Sequence, residues 1–534
     1  DRVGVEDDFF ALGGDSIVSI QLVSRVREAG LGITPRDVFE HKTVEGIAAV
    51  AADLDGDTDS APDVGVGGLI ATPIMRWLAG QGGSADRFCQ WVALEVPADL
   101  GLDRVTAAVR AVVDHHDALR LVVGPDGAHV PPAGADVRDR VRRVGPGADV
   151  ERELHAAQDR LSPAEGRMVE VVWFDAGPGR RGRLLLVLHH LVVDGVSWRI
   201  LLPDLAAAWQ AVTAGVTPVL APVRASLRRW AEVLAEQARS DARVAELPVW
   251  AGVLRDPGPL LGARPLNPTR DRADRLRSVV VDLPADVTAP LLGAAPAALH
   301  AGVDDLLLTA LAVAVAERRR RTSADPVTSV LVDVEGHGRE DVGLDVSRTV
   351  GWFTSLHPVR LDPGPVRFDD VCAGGPDAGE AVRRVEGQRR ALPDRGVGFG
   401  LLRHLNPDTA EVLAAFAEPQ LAFNYLGRAG ALDTGDWAPA PEMATATPAP
   451  PDLPATHAMT VNAAVHDGVL TASWSWPEEL FTEDEVRRLA RDWSRALTGL
   501  VRHARDGRRA PSAPPLVDLG PDGIDLLEQR WGRR

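Results

Sequence analysis

The sequence predicts a mixed α/β body preceded by a small all-α bundle, and three observations support this fold class. The chain has 534 residues, more than one hydrophobic core usually organises, so we expect several packing units. Beyond residue 68, continuous apolar runs typical of buried strands, such as 184–188, alternate with helical stretches such as 303–317. Before residue 54 the pattern is instead that of short, capped helices. Apolar residues make up 45% of the chain, which is enough to fill such cores.

The N-terminal segment, residues 1–54, is predicted to contain three short helices. Ser16 can cap the first helix, which we expect to end near Gly30. Thr34 followed by Pro35 starts the second, and Thr43 can cap the third. Apolar residues recur at helical spacing in the first and third segments: Ile17, Ile20 and Val23, then Ile47, Val50 and Leu54. Because three short helices bury little area, we interpret the bundle as shortened at its N-terminus.

Three segments of biased composition divide the rest of the chain. Residues 55–68 are rich in Asp, Gly, Ser, Ala and Pro, which predicts a flexible linker. A second Pro- and Ala-rich stretch, 437–454, lies inside the body. We expect it to cover a functional site, with a disordered insertion as the alternative. Residues 516–534 are expected to form a C-terminal tail.

Charge and composition exclude several classes of function. The net charge of −18 makes nucleic acid a poor partner. Lys42 is the only lysine, so the body lacks the Schiff-base lysine that a pyridoxal-phosphate racemase needs. Two cysteines cannot form a disulfide framework, no segment resembles a signal peptide, and the longest apolar stretches are about half of a membrane span. We therefore expect a cytosolic protein. The arginines at 318–321 are expected to be a solvated helix C-terminus.

A candidate attachment serine follows two glycines within residues 7–17, Asp-Asp-Phe-Phe-Ala-Leu-Gly-Gly-Asp-Ser-Ile. A serine at a helix start lies where free backbone N–H groups and the helix dipole favour an attached phosphate. On that feature alone Ser16 could be an ordinary N-cap. The whole segment, however, resembles the attachment motif of peptidyl carrier domains, which implies 4′-phosphopantetheine bound covalently to Ser16. Asp15 before the serine is typical of carriers that precede epimerization domains.

A histidine pair follows the apolar run 184–188, and a group at the end of a buried strand is held rigidly toward a cleft. Residues 189–198, His-His-Leu-Val-Val-Asp-Gly-Val-Ser-Trp, resemble the HHxxxDxxSW motif of the condensation and epimerization superfamily. The resemblance implies that His190 is catalytic and that the other motif positions support its loop: His189, Asp194, Gly195, Ser197 and Trp198. We expect Asp194 to form an ion pair, with Arg339 as one candidate partner. A satisfied histidine without a catalytic role is the alternative, and a zinc site lacks a third ligand at a known spacing.

A second candidate site begins at Glu335, after the strand-like run 327–334. Residues 335–340, Glu-Gly-His-Gly-Arg-Glu, resemble the EGHGRE motif of epimerization domains, which condensation domains lack; a solvated glutamate in a glycine turn is the alternative. Three further segments, 348–355, 396–400 and 423–428, resemble the family's TVGWFT, GxGYG and FNYLG segments, with Phe399 in place of a tyrosine. Residues 73–78 are a looser match to PIQxWF. Asn424 and Tyr425 are expected to line the substrate pocket, or Tyr425 fills a core.

The motifs together resemble a carrier and epimerization didomain of a non-ribosomal peptide synthetase. The resemblance implies a chloramphenicol-acetyltransferase-like pseudodimer, with lobes at 69–255 and 256–515 and the active site between them. It also implies L-to-D inversion of an aminoacyl or peptidyl thioester, with His190 and Glu335 exchanging the Cα proton. The implied partners are an upstream adenylation domain, a downstream condensation domain, a phosphopantetheinyl transferase and the thioester substrate.

Three alternative functions are compatible with parts of this pattern. A condensation domain, which forms an amide, shares the HHxxxD motif but not the EGHGRE segment. A docking module without catalytic activity would not need intact His190 and Glu335. A cysteine-pair racemase would have to bring Cys89 and Cys372 together, and neither residue has supporting sequence context. The motifs therefore favour epimerization.

Overall fold

The computed structural model describes residues 3–9, 12, 14, 18–19, 22–23, 25–26, 29–53, 63–322, 327–340, 342–428, 436–440 and 453–507. These residues form a small N-terminal unit and a mixed α/β body with two main sheets, which confirms the predicted fold class. Ser16, most of the stretch 437–454 and the tail 516–534 lie outside the described residues.

The N-terminal unit contains the two capped helices expected after residue 33. Its regular elements are β1 (Leu31–Gly32), α1 (Pro35–His41), α2 (Val44–Val50) and β2 (Ala52–Asp53). Thr34 and Asp37 form a reciprocal capping box at the start of α1, and the hydroxyl of Thr43 accepts a hydrogen bond from the Gly46 N–H, at 3.1 Å. Val23, Ile33 and Val38 form a small buried cluster. The predicted helix starts at Pro35 and after Thr43 are confirmed.

The first lobe is built on a four-stranded sheet of order β4-β9-β8-β7 and a smaller sheet of order β3-β6-β5. The strands are β3 (Gly67–Leu69), β4 (Cys89–Val96), β5 (Val122–Gly124), β6 (Gly127–Val130), β7 (Val141–Val144), β8 (Val169–Phe174) and β9 (Gly182–His189). The helices are α3 (Pro73–Gly80), α4 (Leu102–His115), α5 (Val150–Gln158), α6 (Gly195–Thr213), α7 (Leu227–Gln237), α8 (Asp241–Val244) and α9 (Leu247–Leu254). Strand β9 is apolar on both faces because α4 and α6 cover one face and α5 the other.

The C-terminal end of the predicted linker is ordered against the first lobe. Gly67 pairs with Val130 in the antiparallel pair of β3 and β6, so the linker prediction fails at its last residues. The carboxylate of Asp63 accepts a hydrogen bond from the Ser226 hydroxyl, at 2.8 Å. A glycine-rich composition predicts flexibility, but the glycine backbone still forms ladder hydrogen bonds where a partner strand is available.

The second lobe is built on a six-stranded sheet of order β10-β15-β14-β13-β11-β12. Its strands are β10 (Leu276–Leu283), β11 (Val330–Gly336), β12 (Ser355–Leu361), β13 (Leu421–Arg428), β14 (Met459–His466) and β15 (Val469–Pro477). Its helices are α10 (Ala285–Leu292), α11 (Ala294–Leu299), α12 (Val303–Thr322), α13 (Phe368–Ala373), α14 (Pro376–Arg390), α15 (Val397–His404), α16 (Pro407–Ala414) and α17 (Glu483–Gly507). One sheet face packs on α12, α14 and α17, which makes the larger core.

Helix α12 corrects the expected role of its terminal arginines. The run does end a helix, but Arg319 is 5% exposed and donates to the Ser329 carbonyl. Arg321 bonds Asp492 of α17 at 2.6 Å. Arg319 and Arg321 therefore bind neighbouring segments, whereas the Arg320 side chain is exposed, as expected of a solvated helix end. Among the described helices, none combines the length and the apolar character needed to cross a membrane.

Two chain segments tie the lobes together. Residues 342–356 leave the second lobe, and Trp352 and Phe353 are buried in the core of the first. The described start of the stretch 437–454 runs along β4: the Trp437 N–H donates to the Glu95 carbonyl and the Ala440 N–H to the Ala93 carbonyl. This part of the predicted cover therefore extends the first lobe's sheet at β4.

Candidate functional site

His190 lies one residue beyond β9 and continues that strand's register with β4. Its N–H donates to the Phe88 carbonyl at 2.8 Å. Its ring stacks on the Phe88 ring with a centroid distance of 4.8 Å and contacts the Trp352 ring at 4.6 Å. The side chain is half-buried, so the ring is fixed between two aromatic residues while part of it stays accessible.

The Nε2 atom of His190 is 2.9 Å from Nε2 of Gln90, and Oε1 of Gln90 accepts from the Trp198 indole N–H at 2.7 Å. Burial lowers the pKa of His190 to about 4, so the ring is neutral near pH 7. Sequence reasoning missed Gln90. The sequence feature that could have identified Gln90 is its polar side chain on the face of β4 that otherwise carries the buried Val92 and Leu94.

His189 points to the opposite side of β9 and is fully buried. Its Nδ1 accepts from the Leu191 N–H at 3.2 Å, and its Nε2 bonds the Ala85 carbonyl at 2.9 Å. Burial lowers its pKa to about 4. Both ring nitrogens are engaged with the backbone, which suits the loop-orienting role expected of His189.

The structure contains the ion pair expected between Asp194 and Arg339. Nη2 of Arg339 lies 3.2 Å from both carboxylate oxygens, and both side chains are buried. Asp194 also caps α6 by accepting from the Ser197 N–H at 2.7 Å, and the Ser197 hydroxyl accepts from the Gly351 N–H at 3.1 Å. Gly195 begins α6. This ion pair joins the loop of His190 to the loop that follows Glu335.

Glu335 lies near the end of β11, half-buried, on the sheet face opposite to the larger core. Its Oε2 accepts from the Asn424 amide at 2.8 Å. Burial raises the pKa of Glu335 to about 7; Asp333 raises it further, and His457 acts in the opposite direction. His457 itself bonds Asp333 at 2.9 Å. Sequence reasoning missed this Asp333–His457 pair, because the two residues are 124 positions apart.

Tyr425 requires a correction to the predicted site. It follows Asn424 on β13 and pairs with Ala463 of β14, so its side chain points to the opposite face of the sheet. There it packs against the larger core. Of the two predictions made for Tyr425, core packing agrees with the structure, and we no longer include it among the groups that line the pocket.

The turn after Glu335 is compact because of one glycine. Gly338 has a φ of +66°, and a Cβ atom at this position would lie 1.6 Å from the Phe353 carbonyl oxygen. The Arg339 N–H donates to Nδ1 of His337 at 3.0 Å. The turn thus directs Arg339 toward Asp194 and lies in contact with the backbone of Phe353.

A cavity lies beside this turn, between α3, α7, α15 and the start of β12. Aromatic and aliphatic side chains line most of it: Trp77, Trp230, Phe353, Leu356, Val397 and Leu401. Neither His190 nor Glu335 is among its lining residues. Leu356 is the direct cross-strand partner of Glu335, so the cavity adjoins the carboxyl group without containing it.

The chain's fit to phosphopantetheine rests on the turn before Ser16. The Gly14 N–H donates to the Phe9 carbonyl at 2.9 Å, and a Cβ atom at Gly14 would lie 2.3 Å from the Phe9 ring. A side chain at position 14 would displace the Phe9 ring, and in the sequence a serine whose hydroxyl can form the phosphodiester follows two positions later. Ser16 itself lies outside the described residues, so its role as the attachment residue stays a prediction.

Two other sets of reactive side chains, a histidine and aspartate cluster and the two cysteines, do not form a second candidate site. Among the described residues, His115, His116 and Asp204 come within ligand distance of one another, but Asp204 is bound by Arg348 at 2.7 Å and by His116 at 2.8 Å. Burial raises the pKa of both cysteines, Cys89 and Cys372, to about 11. Thiolates are therefore scarce at neutral pH, which weighs against a cysteine-pair racemase.

Comparison with known sequences identifies two families and many relatives. A profile described as the condensation domain matches residues 160–514, and one described as the phosphopantetheine attachment site matches residues 1–51. The chain is 36% identical over 557 residues to chondramide synthase cmdD of Chondromyces crocatus, and 34% identical over 549 residues to a linear gramicidin synthase subunit of Brevibacillus parabrevis. It aligns over 100% and 98% of its own length but spans only 14% and 7% of those two proteins.

Solved structures support the fold. The crystal structure of the epimerization domain from the third module of tyrocidine synthetase B matches with a TM-score of 0.73 and 28% identity, covering 85% of this chain and 100% of that one. The X-domain from teicoplanin biosynthesis matches at 0.61 with 21% identity, covering 84% and 96%, and shows a shared fold alone. The body therefore has the chloramphenicol-acetyltransferase-like architecture predicted from the motifs.

Proposed function

Because the chain belongs to the condensation-domain family of non-ribosomal peptide synthetases and carries a phosphopantetheine attachment domain, we propose that it is an epimerase. The reaction is the L-to-D inversion of the Cα atom of an aminoacyl or peptidyl thioester. The similarity to an epimerization domain at 28% identity supports this choice, and so does the EGHGRE segment at 335–340. The family alone is also compatible with amide formation.

The observation that carries the proposal is a pair of proton-exchanging groups with contrasting pKa values. His190 is held neutral by burial, with a pKa of about 4, whereas burial raises the pKa of Glu335 to about 7. The buried ion pair of Asp194 and Arg339 lies four residues after each group and couples their loops. Amide formation does not need a second acid–base group of this kind, whereas inversion does.

We assign the two groups complementary roles in one reaction. Nε2 of His190 exchanges the Cα proton with one enantiomer, and a carboxyl oxygen of Glu335 exchanges it with the other. In each direction one group is unprotonated and accepts a proton while the other is protonated and donates one, so the pair carries a single mobile proton. Asn424 holds the Glu335 carboxyl through its 2.8 Å hydrogen bond.

Phosphopantetheine, when bound, presents the acyl group as a thioester, whose Cα–H is more acidic than that of an ester or an amide. We propose Ser16 as its attachment residue, within the profile that matches residues 1–51. A phosphopantetheinyl transferase would install the arm, an upstream adenylation domain would supply the acyl group, and a downstream condensation domain would take the D product. The proposed domains are the carrier at 1–54 and the epimerization lobes at 69–255 and 256–515.

In the test, a phosphopantetheinyl transferase in D₂O transfers the L-aminoacyl phosphopantetheine group of an L-aminoacyl coenzyme A to Ser16 of the 534-residue chain and releases 3′,5′-ADP. A panel of aromatic, aliphatic and polar aminoacyl groups avoids assuming the substrate. Mass spectrometry first establishes that Ser16 is loaded; the thioester is then released and analysed for chirality and for deuterium at Cα. Ser16→Ala, supplied with the same reagents, controls for chemistry off the carrier.

We expect a mixture of D and L product with deuterium at Cα. Glu335→Gln and His190→Ala should each abolish inversion, a loss of at least about 100-fold, because each removes one of the two proton-exchanging groups. Full inversion by Glu335→Gln would contradict the two-group scheme. L product without deuterium across the whole panel would contradict epimerization, and amide formation on adding a second aminoacyl carrier would then assign condensation.

A further inference from the structure

Gln90 is a polar side chain on an otherwise apolar strand face, and the motif pattern gives it no role. It lies on β4 diagonally across from His190, because Phe88 is the residue directly opposite His190. Its side chain is half-buried and contacts His190 at 2.9 Å and Trp198 at 2.7 Å.

The contact with Trp198 fixes which way the Gln90 amide points. An indole N–H can only donate a hydrogen bond, so the atom facing Trp198 must be the amide oxygen. The amide nitrogen then faces Nε2 of His190. An NH₂ group can only donate, so Nε2 must accept and carry no proton of its own.

The surroundings of the other ring nitrogen do not oppose this tautomer. Nδ1 of His190 makes no hydrogen bond of full geometry within the part of the chain that the structure describes, and the backbone groups of His190 and Val193 raise the pKa of the ring, as groups that accept a proton from it do. The stacked Phe88 ring and the tilted Trp352 ring fix the orientation of the imidazole ring but do not distinguish its tautomers. Gln90 is therefore the side chain that determines the protonation of Nε2.

We propose that Gln90, anchored by Trp198, is a positioning residue that holds His190 in the Nδ1–H tautomer with Nε2 free of a proton. In this role Gln90 keeps Nε2 unprotonated and able to accept the Cα proton. The hydrogen bond from the Gln90 amide to Nε2 breaks when Nε2 takes up that proton. The kinetic part of this inference rests on the proposed epimerase function; the tautomer does not.

The first test reads the tautomer directly. The chain is labelled with ¹⁵N-histidine, and long-range ¹H–¹⁵N correlation spectra near pH 7 identify the protonated nitrogen of each neutral ring. The His190 signals are those that disappear in His190→Ala. We expect Nδ1–H in the wild type. In Gln90→Glu an oxygen would face Nε2, so the ring proton should move to Nε2 or both nitrogens should become protonated.

The second test separates a positioning role from a structural one. The chain is loaded in D₂O from L- or from D-aminoacyl coenzyme A by a phosphopantetheinyl transferase, which releases 3′,5′-ADP, and deuterium is measured in the unreacted enantiomer as well as in the product. A group that exchanges protons with one enantiomer can wash deuterium into it without inversion. Gln90→Glu should therefore lose exchange from one enantiomer, the same one that His190→Ala loses, and keep it for the enantiomer that meets Glu335.

Inversion itself should fall by at least about tenfold in Gln90→Glu, and by no more than the roughly 10²- to 10⁴-fold that a general base supplies. Trp198→Phe removes the anchor and should give a weaker loss of the same pattern. Gln158→Glu is the matched control: Gln158 contacts Cys89 on the opposite face of β4 at 3.3 Å, and the change should leave the His190 tautomer and both exchange rates unaltered.

The inference is overturned by a wild-type His190 protonated at Nε2, by a Gln90→Glu ring identical to the wild type, or by equal losses of exchange from both enantiomers. Failure of the proposed function is distinguishable from these results. In that case the wild type exchanges deuterium with neither enantiomer, and the spectra alone decide the role of Gln90.

Discussion

At the scale of single residues, burial displaces the pKa values of His190 and Glu335 in opposite directions. Removal from water penalises the charged form of each group, which is the imidazolium of His190 and the carboxylate of Glu335. The pKa of the first falls to about 4 and that of the second rises to about 7. Between these values the dominant state combines a neutral His190 with a protonated Glu335, which is one of the two states that the proposed reaction needs.

The rate of epimerization is expected to depend on pH as a bell-shaped curve. Above pH about 7 Glu335 loses the single mobile proton of the pair, and below pH about 4 His190 gains a second one. We expect the first-order rate of inversion of the loaded chain to fall about tenfold per pH unit on the alkaline side, because one proton is lost. Chiral analysis of thioesters quenched after a fixed time, from pH 5 to 9, measures this limb.

His457→Gln tests the origin of the alkaline limb. His457 lowers the pKa of Glu335 and Asp333 raises it, so removing His457 should move the midpoint to higher pH. Glu232→Gln, a change on α7 where Glu232 pairs with Arg228, serves as the control and should leave the midpoint in place. A rate that keeps rising above pH 8 in the wild type would contradict the assignment of this limb to Glu335.

At the scale of elements, local patterns predicted where the candidate groups lie but not what surrounds them. Apolar runs ending in His190 and Glu335 placed both at strand ends, and β9 and β11 do end at His189 and Gly336. Contacts such as that of Gln90 with His190 join residues about 100 positions apart, and no local pattern encodes them. For Tyr425 the motif left pocket lining and core packing open, because it gives the order of residues, whereas the alternation of side chains along β13 decides the face.

The turn at Gly338 gives a prediction about backbone geometry. Gly338→Ala combines a positive φ with a Cβ atom 1.6 Å from a carbonyl oxygen, so the turn has to move. Gly343→Ala has a φ of +78° but no atom within 4 Å of the added Cβ, and it isolates the backbone cost of about 1–2 kcal/mol. We expect Gly338→Ala to lower the free energy of unfolding by more than Gly343→Ala does, as measured by urea denaturation. Equal effects would show that the steric contact relaxes freely.

The buried ion pair between the start of α6 and the turn after β11 should contribute more to stability than an exposed ion pair does. Arg339→Met leaves the buried Asp194 carboxylate without its partner, and we expect a loss of about 3–5 kcal/mol. Arg383→Met removes the exposed pair with Glu380 and should cost less than about 1 kcal/mol. Urea denaturation of both variants measures the contrast.

A double variant tests whether the two charges act as a unit. Asp194→Asn keeps an oxygen that can cap α6 but removes the charge that Arg339 neutralises. Combined with Arg339→Met, it should cost less than the sum of the single changes, because neither charge is then buried alone. Additive losses would indicate that each residue acts through its backbone contacts instead.

At the scale of the whole molecule, the sequence predicted the fold class but not how the lobes are joined. Alternating strand and helix patterns identified a mixed α/β body, and the motifs identified its architecture. The insertion of Trp352 and Phe353 into the first lobe's core, and the pairing of residues 437–440 with β4, depend on the packing of segments far apart in the chain. Composition could not reveal them, since the same Pro- and Ala-rich residues also suit a flexible loop.

The stability of the whole chain should fall as the pH is lowered below about 6.5. Burial lowers the pKa of six described histidines: His189, His190 and His404 to about 4, His357 to about 3, and His116 and His337 below the ordinary value. The unfolded chain therefore binds protons near pH 5 that the native chain does not bind. Two carboxyl groups oppose this, because the pKa values of Glu335 and Asp117 are raised to about 7 and 6 and their native forms keep protons that the unfolded chain releases. The histidines outnumber them.

The excess of protons on the unfolded chain predicts a progressive loss of stability as the pH falls from about 6 to about 4.5. His357→Phe keeps an aromatic ring against Trp250 but removes one titrating group, so it should reduce the slope by about 1.4 kcal/mol per pH unit. His466→Asn, at an exposed site, should leave the slope unchanged. The midpoint of urea denaturation, measured from pH 7 to 5, tests this prediction. A wild-type stability that stays constant or rises on acidification would mean that the histidines of the native chain take up protons as readily as those of the unfolded chain.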